Sequence, residues 1–276
     1  MLQADRVRVE AGEDARLTRG FDILPRGLPV AALTRQFDAG DALGFTWLRA
    51  DPGSLRPDMA SARLLACGDA LDLTRTEADA LLKPLRPLFG DEGFPISAPT
   101  PSRWFLCLPI DARLPTFVPP RAVYGDDLFA CLPEGRDGQR WRRLMNEAQV
   151  LLHNHPVNAD RIRAGKLPVN TLWFWGAGRL PDHVRTDFTR VSSDDVLVKA
   201  LAQRAGIMTV APGDGDAGHL LLDLRRCVDA VELEARGLQT ILKRRTGRVE
   251  LDFGDGLLLR WRPRHRWRVW RRREPA

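Results

Sequence analysis

The chain has 276 residues, 44% of them hydrophobic and 28% charged, enough to bury a core as one large α/β domain or two smaller ones. It holds no run of eighteen apolar residues, so no membrane-spanning helix is expected. The first twenty residues carry Asp5, Glu10, Glu13 and Asp14 without an apolar stretch, so neither is a signal peptide.

The net charge is +6, but residues 260–273 contain eight arginines and no acid, and removing those eight charges leaves −2. The basicity therefore belongs to a tail, and the body argues against nucleic acid as a partner. Cys67, Cys107, Cys131 and Cys227 form no Cys-x-x-Cys pair, which points to structural thiols in a reducing cytoplasm rather than to zinc.

Residues 1–20 read as irregular. A short helix over 28–37 would turn Val30, Leu33 and Phe37 to one face. Gly44–Arg49 reads as a strand closed by the turn signal Asp51-Pro52-Gly53, and Ala62–Cys67 as another. Thr74 and Glu77 make a capping box for a helix burying Ala78, Leu81, Leu82 and Leu85, which Pro84 should kink or end. Arg103–Ile110 reads as a buried strand. The proline- and turn-rich stretch that follows suggests a boundary near 130, between an N-terminal α/β region (1–130) and a second α/β region (131–276).

In the second region Trp141, Leu144, Met145, Ala148 and Leu152 recur at helical spacing, and Pro156 stops that helix. Asn170–Trp175 is a strand left by the turn Gly176-Ala177-Gly178. Ser192 or Ser193 should cap a helix ending before Gly206. Strands over 207–211 and 219–224, a helix over 227–245 and a hairpin pairing 248–253 with 257–262 complete the pattern. The alternation predicts an α/β fold, with flanking helices on a mostly parallel sheet and an antiparallel C-terminal edge hairpin.

Between the first strong helix and the strand lie His153, His155, Asn158, Arg161, Arg163, Lys166 and Asn170. Ligands in open α/β sheets gather outside the carboxyl ends of strands, and a Gly-x-Gly turn there can present backbone N–H groups to an anion. His153, His155, Asn158, Arg161, Asn170, Gly176 and Gly178 are thus the candidate ligand-binding residues for a phosphorylated small molecule. The competing reading has His153 and Asn154 ending a helix, Asn158 forming an Asx turn and the arginines facing solvent. The tail interleaves Trp261, Trp267 and Trp270 with arginine. That pattern suits either nucleic-acid or membrane-surface binding, or an edge strand with wet arginines.

The run HNHPVNADRIRAGKLPVNTLWFWGAG, residues 153–178, resembles the HP-x-N-x-x-R…G-x-x-P-x-N…G-x-G pattern of archaeal-type cofactor-independent phosphoglycerate mutases, of the alkaline-phosphatase superfamily. VLVKALAQRAGIMTVAPG is also similar to that family. WLRADP, SRWFL, NEAQVLLHNHPVN and the WRVWRRR ending make the whole chain look closer to the RpfE-type regulatory proteins. The superfamily resemblance implies a two-metal enzyme with aspartate and histidine ligands in several loops and a serine nucleophile near the start. This chain departs from that pattern. Residues 1–60 lack an Asp-rich opening, the histidines are only 153, 155, 183, 219 and 265, and Asp214, Asp216 and His219 are merely similar to an Asp-x-x-Gly-His motif. The resemblance with its departures implies a cytoplasmic, non-catalytic regulatory protein with a degenerate alkaline-phosphatase-like sheet and no metal or other cofactor. Its expected partners are a phosphorylated small molecule or another protein. An active metal-dependent mutase or phosphatase is the alternative.

Overall fold

A computed structural model describes residues 4–57, 62–124, 128–211, 218–227, 229, 231, 233 and 247–262. In chain order the elements are β1 Asp5–Arg8, α1 Glu13–Gly20, β2 Asp22–Leu24, α2 Val30–Ala39, β3 Thr46–Pro57, β4 Ala62–Cys67, α3 Arg75–Asp91, β5 Ile96–Ser97 and β6 Phe105–Leu108. They continue with α4 Gly135–His153, α5 Pro156–Arg163, β7 Thr171–Arg179, β8 His183–Arg185, β9 Arg190–Ser192, α6 Val196–Arg204, β10 Met208–Thr209, β11 Leu220–Leu222, β12 Val249–Asp252 and β13 Leu257–Trp261. The helix expected over 227–245 lies largely outside the described residues, as do Asp214, Asp216 and the tail from 263. The chain divides into two compact units, Pro29–Pro181 and the two stretches flanking it.

The Pro29–Pro181 unit is built on β3. Its first half pairs with β6, its second half with β4, and β7 runs along its other edge; β5 extends the sheet beyond β6. Every one of these pairings is antiparallel. The expected turn at Asp51-Pro52-Gly53 is instead mid-strand. The Ala50 N–H reaches the Trp104 carbonyl on the β6 side, so Pro52, two residues on, faces the same side. That is where β6 has ended opposite Arg49 and β4 begins opposite Gly53, so the missing proline donor breaks no ladder bond.

One face of this sheet carries the main core. Leu48, Ala50, Leu106, Leu172 and Phe174 meet Leu81, Leu82, Leu85 and Phe89 of α3 and Trp141, Leu144 and Leu152 of α4. Trp141 is the hub, with its ring centroid 5.4 Å from Phe94, 5.4 Å from Phe117 and 5.1 Å from Phe174. Pro84 does not end α3, which runs on through Pro84 and Pro87 to Asp91. Two interior prolines cost about 6 kcal/mol, while burying four large side chains on the opposite stripe returns about 8 kcal/mol, so the stripe wins. The other face is covered by α2, where Ala31, Ala32, Trp47 and Phe105 pack together. Phe37, expected inward, is 37% exposed.

The flanking stretches form three small sheets: β2 with β8, antiparallel; β10-β9-β11, parallel; and β1-β13-β12, antiparallel. The hairpin β12–β13 forms as expected, but β13 is a central strand because β1 pairs on its far side. The α/β class stands, while the mostly parallel sheet does not: among the described residues, parallel pairing is confined to β9, β10 and β11. Reading strand-helix-strand as a crossover failed because β7, after α4 and α5, pairs antiparallel with β3 from much earlier in the chain. Asp195, not Ser192 or Ser193, caps α6, its Oδ1 accepting from the N–H groups of Leu197 and Val198.

In the same unit Arg225 gathers carboxylates, bonding Asp223 at 2.8 and 2.7 Å and pairing with Glu13. The Ser193 hydroxyl donates to Asp223 at 2.7 Å. Burial works against the Asp223 charge, yet the Arg225 and Ser193 hydrogen bonds hold its pKa down to about 2. The buried Ser192 Oγ has no hydrogen-bond partner among the described residues.

Candidate functional site: the block between α4 and β7

The apolar stripe of α4 fixes this block against the sheet, since Trp141, Leu144, Met145, Ala148 and Leu152 all face the core. The helix ends at His153, which is exposed. Pro156 then opens α5 at its first position, where a missing N–H costs nothing, rather than starting a loop. His155 is the N-cap, its Nδ1 accepting from the Val157 N–H at 3.3 Å.

Asn158 is buried, and its amide joins two segments. Nδ2 donates to the carbonyls of Leu152 and Val169, both at 2.8 Å, and Oδ1 accepts from the Val169 N–H at 2.7 Å. It makes no Asx turn; it ties the end of α4 to the approach to β7.

Arg161 is 2% exposed, not solvated. Its Nε donates to Leu167 O at 2.8 Å, Nη2 to Leu71 O at 2.6 Å and Nη1 to Glu77 Oε1 at 2.9 Å. Glu77 also closes the capping box of α3, with Oε2 accepting from the Thr74 N–H at 2.8 Å. Burial works to raise the Glu77 pKa, but the Thr74 N–H and the Arg161 guanidinium outweigh it and lower it. Lys166 is drawn off to Asp72 at 2.9 Å, and Arg163 pairs with Asp160.

Asn170 works as one more rung of the sheet. Its Oδ1 accepts from the Leu55 N–H at 2.7 Å, and its Nδ2 donates to Leu55 O at 2.8 Å. At the opposite end of β7, Gly176 and Gly178 do not leave the strand but form an irregularity within it, where the register on β3 shifts between Trp47 and Arg49. Gly176 has φ 67°, and a Cβ there would lie 2.9 Å from Val30 Cβ. Gly178 has φ 156°, with Pro29 Cβ only 2.5 Å from where its own Cβ would be. The glycines are what lets the first turn of α2 approach the strand.

The seven candidate residues therefore do not converge. His155 caps α5, and Asn158 and Arg161 belong to it. Gly178 lies eight residues beyond Asn170, roughly 26 Å along a strand.

A polar centre that the sequence reading missed lies between α2 and the sheet. Arg49 and Asp51, both buried, form a bidentate pair at 2.9 and 2.8 Å. The Trp175 indole N–H donates to Asp51 at 2.7 Å, and the Arg49 guanidinium stands 5.2 Å from the Phe105 and Trp175 rings. Burial raises the Asp51 pKa while Arg49 and Trp175 oppose that rise. The signal was present in the spacing of Trp47, Arg49 and Asp51 at i, i+2 and i+4, one face of a strand, but the Asp-Pro-Gly turn signal hid it. All four cysteines are free thiols, and burial pushes that of Cys67 well up. His219 Nδ1 sits 3.1 Å from Asp187 O. Among the described residues no group of three or more His, Cys, Asp or Glu side chains is placed to hold a metal ion.

No family model matches the chain. It is 41% identical over 66 residues to a probable 2,3-bisphosphoglycerate-independent phosphoglycerate mutase of Geobacter sulfurreducens, covering 24% of this chain and 16% of the relative. It is 40% identical over 63 residues to the corresponding protein of Methanosarcina mazei, covering 23% and 16%. It is 38% identical over 114 residues to phosphoglycerate mutase 2 of Methanothermobacter thermautotrophicus, covering 39% and 28%. The chain is related to the cofactor-independent phosphoglycerate mutases. It spans only about a sixth of the length of the first two of these mutases. Two solved structures are also similar, each at 15% identity. They are a cofactor-independent phosphoglycerate mutase from Thermoplasma acidophilum (TM-score 0.41, 94% of this chain and 79% of that one) and the PH0037 protein of Pyrococcus horikoshii (TM-score 0.46, 93% and 76%). Among the described residues no helix is long and apolar enough to cross a membrane.

Proposed function

We propose that the protein is a non-catalytic, cytoplasmic regulator of the RpfE type, related to the phosphoglycerate mutases, in which the mutase-like block has become a frame. The observation that carries this reading is the use of Asn158, Arg161 and Asn170. Each amide and guanidinium is engaged with the chain's own backbone or with Glu77, so the groups best suited to a phosphate already hold α3, α4, α5 and β7 together. A phosphorylated metabolite would meet His153 and His155 at the α4–α5 junction, with Asn158, Arg161 and Asn170 supporting them from behind. A protein partner would meet the outer surface of the same frame.

Calorimetry with 3-phosphoglycerate, on the wild type and on the His153→Ala/His155→Ala double variant, tests the sensing half. Saturable heat lost in the double variant supports it, and an absence of heat in both removes it. Phosphoglycerate mutase turnover dependent on manganese or zinc and abolished by chelator would overturn the non-catalytic reading.

A further inference from the structure

We draw no further inference here: the strongest candidate, the apolar face of the β1–β13–β12 sheet where Val249, Leu251, Leu257, Leu259 and Trp261 stand half-buried on the side that also bears Arg6 and Arg8, carries nothing because nothing in the structure shows what covers it.

Discussion

Arg161 Nη1 donates to Glu77 Oε1 across 84 residues of sequence, and the other oxygen of that carboxylate caps α3. A residue that reads as a solvated cation next to a basic segment is thus the bolt between two helices. Arg161→Ala would leave the carbonyls of Leu71 and Leu167 and one Glu77 oxygen without their donors. Breaking a buried charged network of this kind costs about 3 kcal/mol or more. We expect a lower urea midpoint with an unchanged slope, and Arg161→Lys to recover little, because one ammonium cannot span three acceptors in a fork. An Arg161→Ala protein as stable as wild type would end the frame reading.

The two glycines of β7 predict a steric effect. Gly178→Ala places a methyl group 2.5 Å from Pro29 Cβ, and Gly176→Ala adds a left-handed φ to a 2.9 Å approach. Each should cost about 2 kcal/mol or more. Far-UV circular dichroism during thermal melting reads this out, and the same substitution at Gly165, where a Cβ would meet nothing within 4 Å, should carry only the backbone part of the penalty.

Ser192 predicts the opposite sign. Its buried hydroxyl meets no partner among the described residues. Ser192→Ala removes the cost of desolvating that group and should leave stability unchanged or raise it by about 1 kcal/mol. A clear loss in denaturant would mean that the hydroxyl has a partner after all.

The Asp223–Arg225 pair sets part of the acid limb. Because the folded-state pKa of Asp223 is depressed from 3.8 to about 2, its contribution is full at neutral pH and is lost as pH falls from about 4 toward 2. The amount is on the order of 2 kcal/mol. Asp223→Asn should be less stable at pH 7 and should lose less on acidification. Equal acid profiles for the two proteins would show that the pair does not supply this limb.

Local chemistry was the most legible part of the fold. The Thr74 and Glu77 capping box, the α4 stripe and the β12–β13 hairpin each depend on residues a few positions apart, and all three formed as read. What was lost depends on distant partners. Pro52 is harmless only because two different strands meet opposite it, and α3 ignores Pro84 because Leu81, Leu82, Leu85 and Phe89 have a core to enter. The candidate site was legible as a cluster of residue types, but the sequence does not reveal that Leu71 and Glu77 wait where Arg161 points, nor that Leu55 occupies the amide of Asn170.

The interrupted layout of the flanking unit has a consequence for synthesis. Strand β1 leaves the ribosome some 250 residues before its partner β13, and β2 leaves long before β8. A nascent chain can close the antiparallel sheet around β3 while its first two strands remain unmatched. Those early strands are then the ones exposed to wrong pairing with neighbouring chains until β8 and, later, β13 have been made.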